Sequence, residues 1–212
     1  MKRILLFVAA AALVMTPAFA QSRSVDLTGW IAFVDPSGST DFEDGEAAEF
    51  DSEQGYGLGI NVFWSSRIST EFAAYLVEPD LSLRSNDPAI PSGVVGSLEM
   101  MPLTGTLQFH LNPDGRVDPY IGAGVAYVLF DQVEGESLGD IGFDSIDFDD
   151  DYGFLFNAGV SIDITPTFAI NLDAKYVPVS AAATAVIGGI ETDATDFDVN
   201  PLILSAGVSL QF

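Results

Sequence analysis

After residue 20, apolar and polar residues alternate with a period of two along most of the chain, the mark of strands whose two faces meet different surroundings. Eight such segments stand out. Val25, Leu27, Ile31 and Phe33 share one face of the first, and Tyr56, Leu58, Ile60, Val62 and Trp64 one face of the second. Ile68, Phe72, Ala74 and Leu76 mark the third, and Leu103, Leu107, Phe109 and Leu111 the fourth. The fifth carries Ile121, Ala123, Val125, Tyr127 and Leu129; the sixth carries Tyr152, Phe154, Phe156, Ala158, Val160 and Ile162. Phe168, Ile170, Leu172, Ala174 and Tyr176 define the seventh, and Leu202, Leu204, Ala206, Val208, Leu210 and Phe212 the eighth. The interleaved positions are mostly Gly, Ser, Thr, Asn and Gln, as in Thr104, Thr106 and Gln108 of the fourth segment. A soluble sandwich would turn a charged face to water. A face of small polar residues suits a narrow interior.

The connections separate these alternatives. Ser65, Ser66 and Arg67, then Asn112, Pro113, Asp114 and Gly115, then Thr165, Pro166 and Thr167 are tight turns with the expected turn chemistry. Between them lie long links near 35–53, 79–99, 131–151 and 180–198, each about twenty residues. Short and long links alternate, so the short ones gather at one end and the long ones at the other. This predicts an all-β fold: an eight-stranded antiparallel transmembrane β-barrel with short periplasmic turns and long acidic external loops. Closure also removes the sheet edge, whose unpaired backbone groups lipid cannot satisfy.

Charge points the same way. The chain has 31 Asp and Glu against 7 Lys and Arg, yet 48% of it is hydrophobic and its mean hydropathy is +0.32. Most of the carboxylates fall in the four long links, whereas Arg23, Arg67 and Arg116 lie at the opposite end. Carboxylates kept out of a lipid band would collect on one side in this way. So acidic a chain is a poor partner for nucleic acid, whose phosphates need Lys and Arg. Having no cysteine, it has no disulfide, thiolate metal site, thiol nucleophile or lipoprotein anchor. Met1, Lys2 and Arg3 precede an apolar run from Ile4 to Met15, a Thr16-Pro17 break and the small-x-small sequence Ala18-Phe19-Ala20. That is a cleaved signal peptide over 1–20, leaving an outer-membrane barrel domain over 21–212. The apolar run is too short for a spanning helix, which takes roughly 20 residues.

The stretch from Met101 to His110, followed by Asp118-Pro119-Tyr120-Ile121-Gly122-Ala123-Gly124-Val125-Ala126-Tyr127, resembles the OmpW family of outer-membrane barrels. Those barrels carry a Pro-Thr-x-x-Leu-Gln strand, a short turn, and a Pro-Tyr-x-Gly-x-Gly-x-x-Tyr strand. The final residues from Ser205 to Phe212 look like the terminal signal by which the barrel-assembly machinery recognises its substrates, with Gly207, Leu210 and Phe212 as its marked positions. The resemblance implies a porin-like barrel in the bacterial outer membrane, in contact with its lipid, that binds or passively conducts small hydrophobic molecules.

By parity, inward side chains near the turns are polar: Asp26, Thr28, Asn61, Glu71, Thr106, Gln108, His110, Ser161, Asp163, Asn171, Asp173, Ser209 and Gln211. Towards the long links they become apolar: Trp30, Ala32, Val34, Tyr75, Val77, Val128, Phe130, Leu155, Val177 and Ile203. Eight strands leave room for their own side chains or for one small ligand. Trp30, Tyr75, Val77, Phe130, Leu155 and Val177 are the candidate lining of a pocket for a small hydrophobic ligand, and a filled core fits the pattern as well. Lys175 points inward at mid-height, with Asp173 and Glu71 as candidate partners, because a lone charge there would be costly.

No enzyme chemistry is expected. His110, the only histidine, sits at the periplasmic end and cannot serve the outer leaflet. Asp147, Asp149 and Asp151 resemble the start of a calcium loop, but Tyr152 stands where Gly is required and Ala158 where Glu is. No resident metal is assigned. Gly55, Gly57 and Gly59, and Gly122 with Gly124, fall on inward faces with no helix after them, so they ease strand curvature instead of cradling a nucleotide cofactor. The alternative to a hydrophobic conduit is a closed structural or surface-interaction barrel that acts through its acidic external loops.

Overall fold

A computed structural model describes residues 24–36, 39–41, 47–84, 93–133, 145–187, 190–191 and 195–212. The signal-peptide segment lies outside these residues. Eight antiparallel strands close into a barrel: β1 (Val25–Pro36), β2 (Glu53–Phe63), β3 (Ile68–Leu76), β4 (Met100–His110), β5 (Val117–Phe130), β6 (Asp151–Asp163), β7 (Phe168–Tyr176) and β8 (Pro201–Gln211). Each pairs with its neighbours in sequence, and β1 pairs with β8 to complete the ring. The amide N–H groups of Ser24 and Val25 donate to the Phe212 carbonyl at 2.8 and 3.3 Å, so the final residue helps to seal the seam.

Outward positions expose large apolar side chains, including Leu58, Tyr56, Val125, Phe154, Ile121 and Leu107. In water such a belt would be an aggregation surface; in a bilayer it is the solvated one. Among the described residues no helix is long and apolar enough to cross a membrane, and the crossing is made by strands.

The four long links contain more structure than the sequence reading gave them. The first two build a four-stranded outer sheet from Ser39–Asp41, Ala47–Phe50, Asp80–Arg84 and Gly93–Ser97. The last two build a five-stranded outer sheet from Gln132–Val133, Ser145–Phe148, Ser180–Ile187, Ile190–Glu191 and Thr195–Asp198. The ladders of the barrel thus run on past the lipid band but divide into two separate sheets. Their short runs, such as Asp-Leu-Ser-Leu-Arg at 80–84, alternate over too few residues to stand out beside the acidic stretches around them.

Candidate functional site: a two-storey lumen

Most inward residues fall into one of two layers. In the lower layer, polar side chains join strand to strand. Lys175 has no exposed surface, and its Nζ lies 2.5 Å from Asp173 Oδ1, 2.8 Å from Glu71 Oε1 and 3.2 Å from the Tyr75 hydroxyl, to which it donates. Glu71 is on β3 and Lys175 on β7, four strands apart in the ring, so this ion pair spans the lumen. Both sequence-stated partners are present. The ammonium also sits 5.4 Å from the Trp30 ring centroid and 5.7 Å from that of Tyr75, within cation–π range.

From this centre the network runs downward. Tyr120 Oη and Asn157 Nδ2 each donate to Asp173 Oδ2 at 2.8 Å. Gln108 Nε2 donates to Glu71 Oε2 at 3.4 Å, and Gln108 Oε1 accepts from Asn61 Nδ2 at 3.0 Å. Thr28 and Ser209 hydroxyls meet at 2.7 Å, and Asn171 Nδ2 donates to Ser209 Oγ. Asp163, at the rim, accepts from Gln211 Nε2 at 2.9 Å. In an interior of low dielectric each of these bonds is costly to leave unmade, so the layer acts as a cross-braced floor.

At the periplasmic end Ser69 Oγ lies 2.9 Å from His110 Nε2, and His110 Nδ1 lies 2.7 Å from Asp118 Oδ2. This is the spacing of a nucleophile, base and orienting carboxylate. Here it is part of the floor. Ser69 has no exposed surface and His110 1%, and Ser69 also lies 3.3 Å from Gln108 Oε1 as a second acceptor. A substrate would have to dismantle the floor to reach the hydroxyl.

The upper layer is apolar. Trp30, Tyr75, Val77, Leu155 and Val177 belong to one buried cluster with Ala32, Val34, Val128 and Ile203, and Phe130 packs against it half-buried. The structure therefore brings all six candidate lining residues together. Tyr75, Leu155 and Val177 are 0% exposed, so no water-sized space adjoins them, and the column is filled by its own side chains. It continues upward through Met100 and Leu98 to Leu81, Phe50, Phe148, Val179, Ala183 and Val199. Sequence reading missed these higher members because they lie on or beside the outer sheets. Buried polar side chains among the described residues stop at the level of Thr104, Lys175 and Ser205.

Inward glycines make room for the large rings. A Cβ on Gly57 would lie 2.6 Å from Tyr75 Cδ1, and one on Gly207 would lie 2.5 Å from Trp30 Cε3. Tyr120 covers Gly159 in the same way. Of the glycines assigned to strand curvature, Gly57 and Gly59 lie against the Tyr75 and Trp30 rings, whereas Gly55, Gly122 and Gly124 face neighbouring backbone and non-aromatic side chains. Gly207 thus has an internal packing role, whereas Leu210 and Phe212 are exposed on the outer surface of the closing strand.

The aspartates near the sixth strand are shared out among different partners. Asp150 Oδ2 accepts from the Tyr127 hydroxyl at 2.8 Å, and Asp151 Oδ2 accepts from the Ser180 amide at 3.2 Å. Asp147 lies within the strand Ser145–Phe148. Among the described residues no three His, Cys, Asp or Glu side chains are grouped to hold a metal.

On the lipid side, a shallow groove of about 630 Å³ crosses β6, β7, β8 and β1, where Ala158, Ala174 and Ala206 sit among Ile31, Phe33 and Leu204. It lies directly below the outer end of the β1–β8 seam, where Pro36 faces Pro201.

Known proteins share this architecture. The barrel is similar to the crystal structure of the outer membrane protein OprG from Pseudomonas aeruginosa, with a TM-score of 0.78 at 22% identity over 90% of this chain and 96% of that one. Over 155 residues the sequence is 30% identical to outer membrane protein AlkL of Ectopseudomonas oleovorans, a match that takes in 72% of this chain and only 64% of AlkL's length. It is 27% identical over 195 residues to the dibenzothiophene metabolism operon protein PahQ of Pseudomonas aeruginosa, over 92% of this chain and 83% of PahQ. Residues 21–212 match the OmpW family as a whole, and with the eight-stranded barrel and its lipid-facing belt they make this chain a member of the OmpW family of outer-membrane proteins.

Proposed function

We propose that the protein carries small hydrophobic molecules from outside the cell into the outer membrane by way of the upper lumen. The observation that carries this reading is the apolar column, which runs from Phe50 and Phe148 down to Trp30, Tyr75, Leu155 and Val177 and ends on the charged floor. Because the column is filled, a solute enters by taking the place of side-chain contacts. An apolar solute can do so at little cost. The floor offers it ions and buried polar groups in place of apolar contacts, which disfavours the periplasmic direction.

The way out is sideways. Pro102, Pro178 and Pro201 lie at the outer ends of β4, β7 and β8, and each lacks the N–H that a ladder needs. In the β3–β4 ladder, pairing stops at Ala74↔Leu103 and resumes at the single bridge Val77↔Met100, skipping Pro102. On β8, Pro201 faces Pro36, with the lipid-facing groove just below. Similarity to a protein of a dibenzothiophene metabolism operon supports an apolar cargo.

The test uses Trp30 as the reporter in a Trp64→Phe background, with the barrel refolded in lipid nanodiscs and titrated with brominated alkanes of increasing length. Buried methylene is worth about 0.8 kcal/mol, so binding should tighten about fourfold per added CH₂ until the column is full. Leu155→Asp should abolish the saturable quenching while the barrel stays folded. Quenching that is unsaturable at every length, or unchanged in Leu155→Asp, would shift the function to the acidic external surface.

A further inference from the structure

The outer mouth is closed where two outer sheets meet, at Phe50 and Phe148 and again where Ser39–Asp41 runs near Thr195–Asp198. The β1–β8 ladder ends at Pro36↔Pro201, a rung with no N–H on either side. The β4–β5 ladder ends at Met100↔Phe130, followed by a 2.9 Å bond from the Asp131 amide to the Glu99 carbonyl. Beyond these two points the chain continues as the two outer sheets, each held by its own ladder and belonging to no common one. Phe50 pairs with Leu81 at the barrel end of its ladder in the first, and Phe148 pairs with Ala183 at the barrel end of its ladder in the second. Their rings meet edge to face with centroids 5.7 Å apart, and Phe148 lies 6.1 Å from Phe130 at the top of the column. Both phenylalanines are buried.

We infer that the Phe50–Phe148 contact is the gate through which solute enters and the point at which it is selected for apolarity. This rests on the conduit reading above. The reason is the chemistry of closure. Parting the two sheets here exposes ring faces, and an apolar guest between them restores the lost contacts as it enters. A polar or charged guest must shed its hydration between two phenyl rings that offer no partner, so it leaves the gap open and uncompensated. The selectivity lies in what can replace a ring, and it is exercised before the solute reaches Trp30 or Tyr75. The sheets can separate at this point because, among the described residues, no strand ladder ties one to the other, whereas the barrel below is continuous.

The chain contains no cysteine, so Phe50→Cys/Phe148→Cys supplies two thiols and no others. Cells expressing the full-length double variant are treated with a short, membrane-impermeant bis-methanethiosulfonate, then given the apolar fluorophore N-phenylnaphthylamine from outside. Cross-linking should reduce dye uptake to the rate of cells lacking the protein, and reduction with dithiothreitol should restore it. A second variant guards against misfolding of the pair. Phe148→Cys alone, carrying a benzyl adduct, should take up dye at the wild-type rate, and the same thiol carrying a sulfonatoethyl adduct should fall to background. If wild-type cells take up dye no faster than cells lacking the protein, the conduit reading fails. If wild-type uptake is rapid and neither the cross-link nor the charged adduct slows it, the gate is elsewhere and this inference is wrong.

Discussion

The two halves of the lumen are closed by different forces. Below the level of Lys175 the walls are joined by directional bonds: one ion pair across the ring, a carboxylate with three donors, and a chain of amides and hydroxyls leading to His110. Above it, closure is apolar packing from Tyr75 up to the Phe50–Phe148 contact. Both halves are closed where they meet, since Lys175 and Leu155 are each 0% exposed. They differ in what could replace the closing groups. A hydrocarbon can substitute for a Phe or Leu contact; it cannot substitute for the partner of a buried Glu71. The lesson is that filling alone does not make a barrier. The chemistry of the filling decides for whom it is one.

Three changes test that contrast, in descending order of expected effect. Lys175→Met removes the buried ammonium of the lower layer and leaves Glu71 without its ion pair, so the refolded barrel should lose about 3–5 kcal/mol to urea unfolding. Adding Glu71→Gln to the same chain should recover part of that loss. A neutral Lys175→Met would mean that the floor is not cross-braced, and the contrast would collapse. Gly57→Val drives a methyl group into the Tyr75 ring and should cost about 1–3 kcal/mol by overpacking. A similar change at Gly29, where an added Cβ meets nothing within 4 Å, should be nearly silent. If both glycines respond alike, strand curvature and not ring seating explains the inward ones. Thr28→Val keeps the side chain's shape and deletes the 2.7 Å bond to Ser209, for a loss of about 0.5–1.5 kcal/mol. Equal stability there would show that this lower corner draws nothing from its hydrogen bonds.

Much of this was legible in the sequence. Period-two alternation assigned each residue to lipid or lumen, and the alternation of short with long links fixed which end is which. Parity alone pointed Lys175 inward and made Asp173 and Glu71 its candidate partners. The outer sheets were not legible, because strands such as Ser39–Asp41 and Gln132–Val133 are too short to show a period. Their apolar members, Phe50, Leu81, Phe148 and Ala183, are scattered among carboxylates that dominate the local pattern. The pairing of Ser69 with His110 and Asp118 was equally hidden, since those residues come from three strands.

By itself the sequence determined the fold class, the membrane it belongs to, the orientation of its ends and the change from polar to apolar along its lumen. These follow from local rules: a strand's side chains alternate whatever their partners, and charge is expelled from lipid whatever the topology. Whether the lumen is a space or a packed column could not follow from such rules. That depends on how far Trp30 reaches over Gly207, its neighbour only once β1 and β8 close the ring, and how far Tyr75 reaches over Gly57 within the β2–β3 hairpin. The ion pair between β3 and β7 likewise needs the closed ring, and Phe50 meets Phe148 only where the two outer sheets come together above it. Alternation gives each side chain a direction, but its neighbours across the lumen are set by strand register and closure, which are properties of the whole sheet.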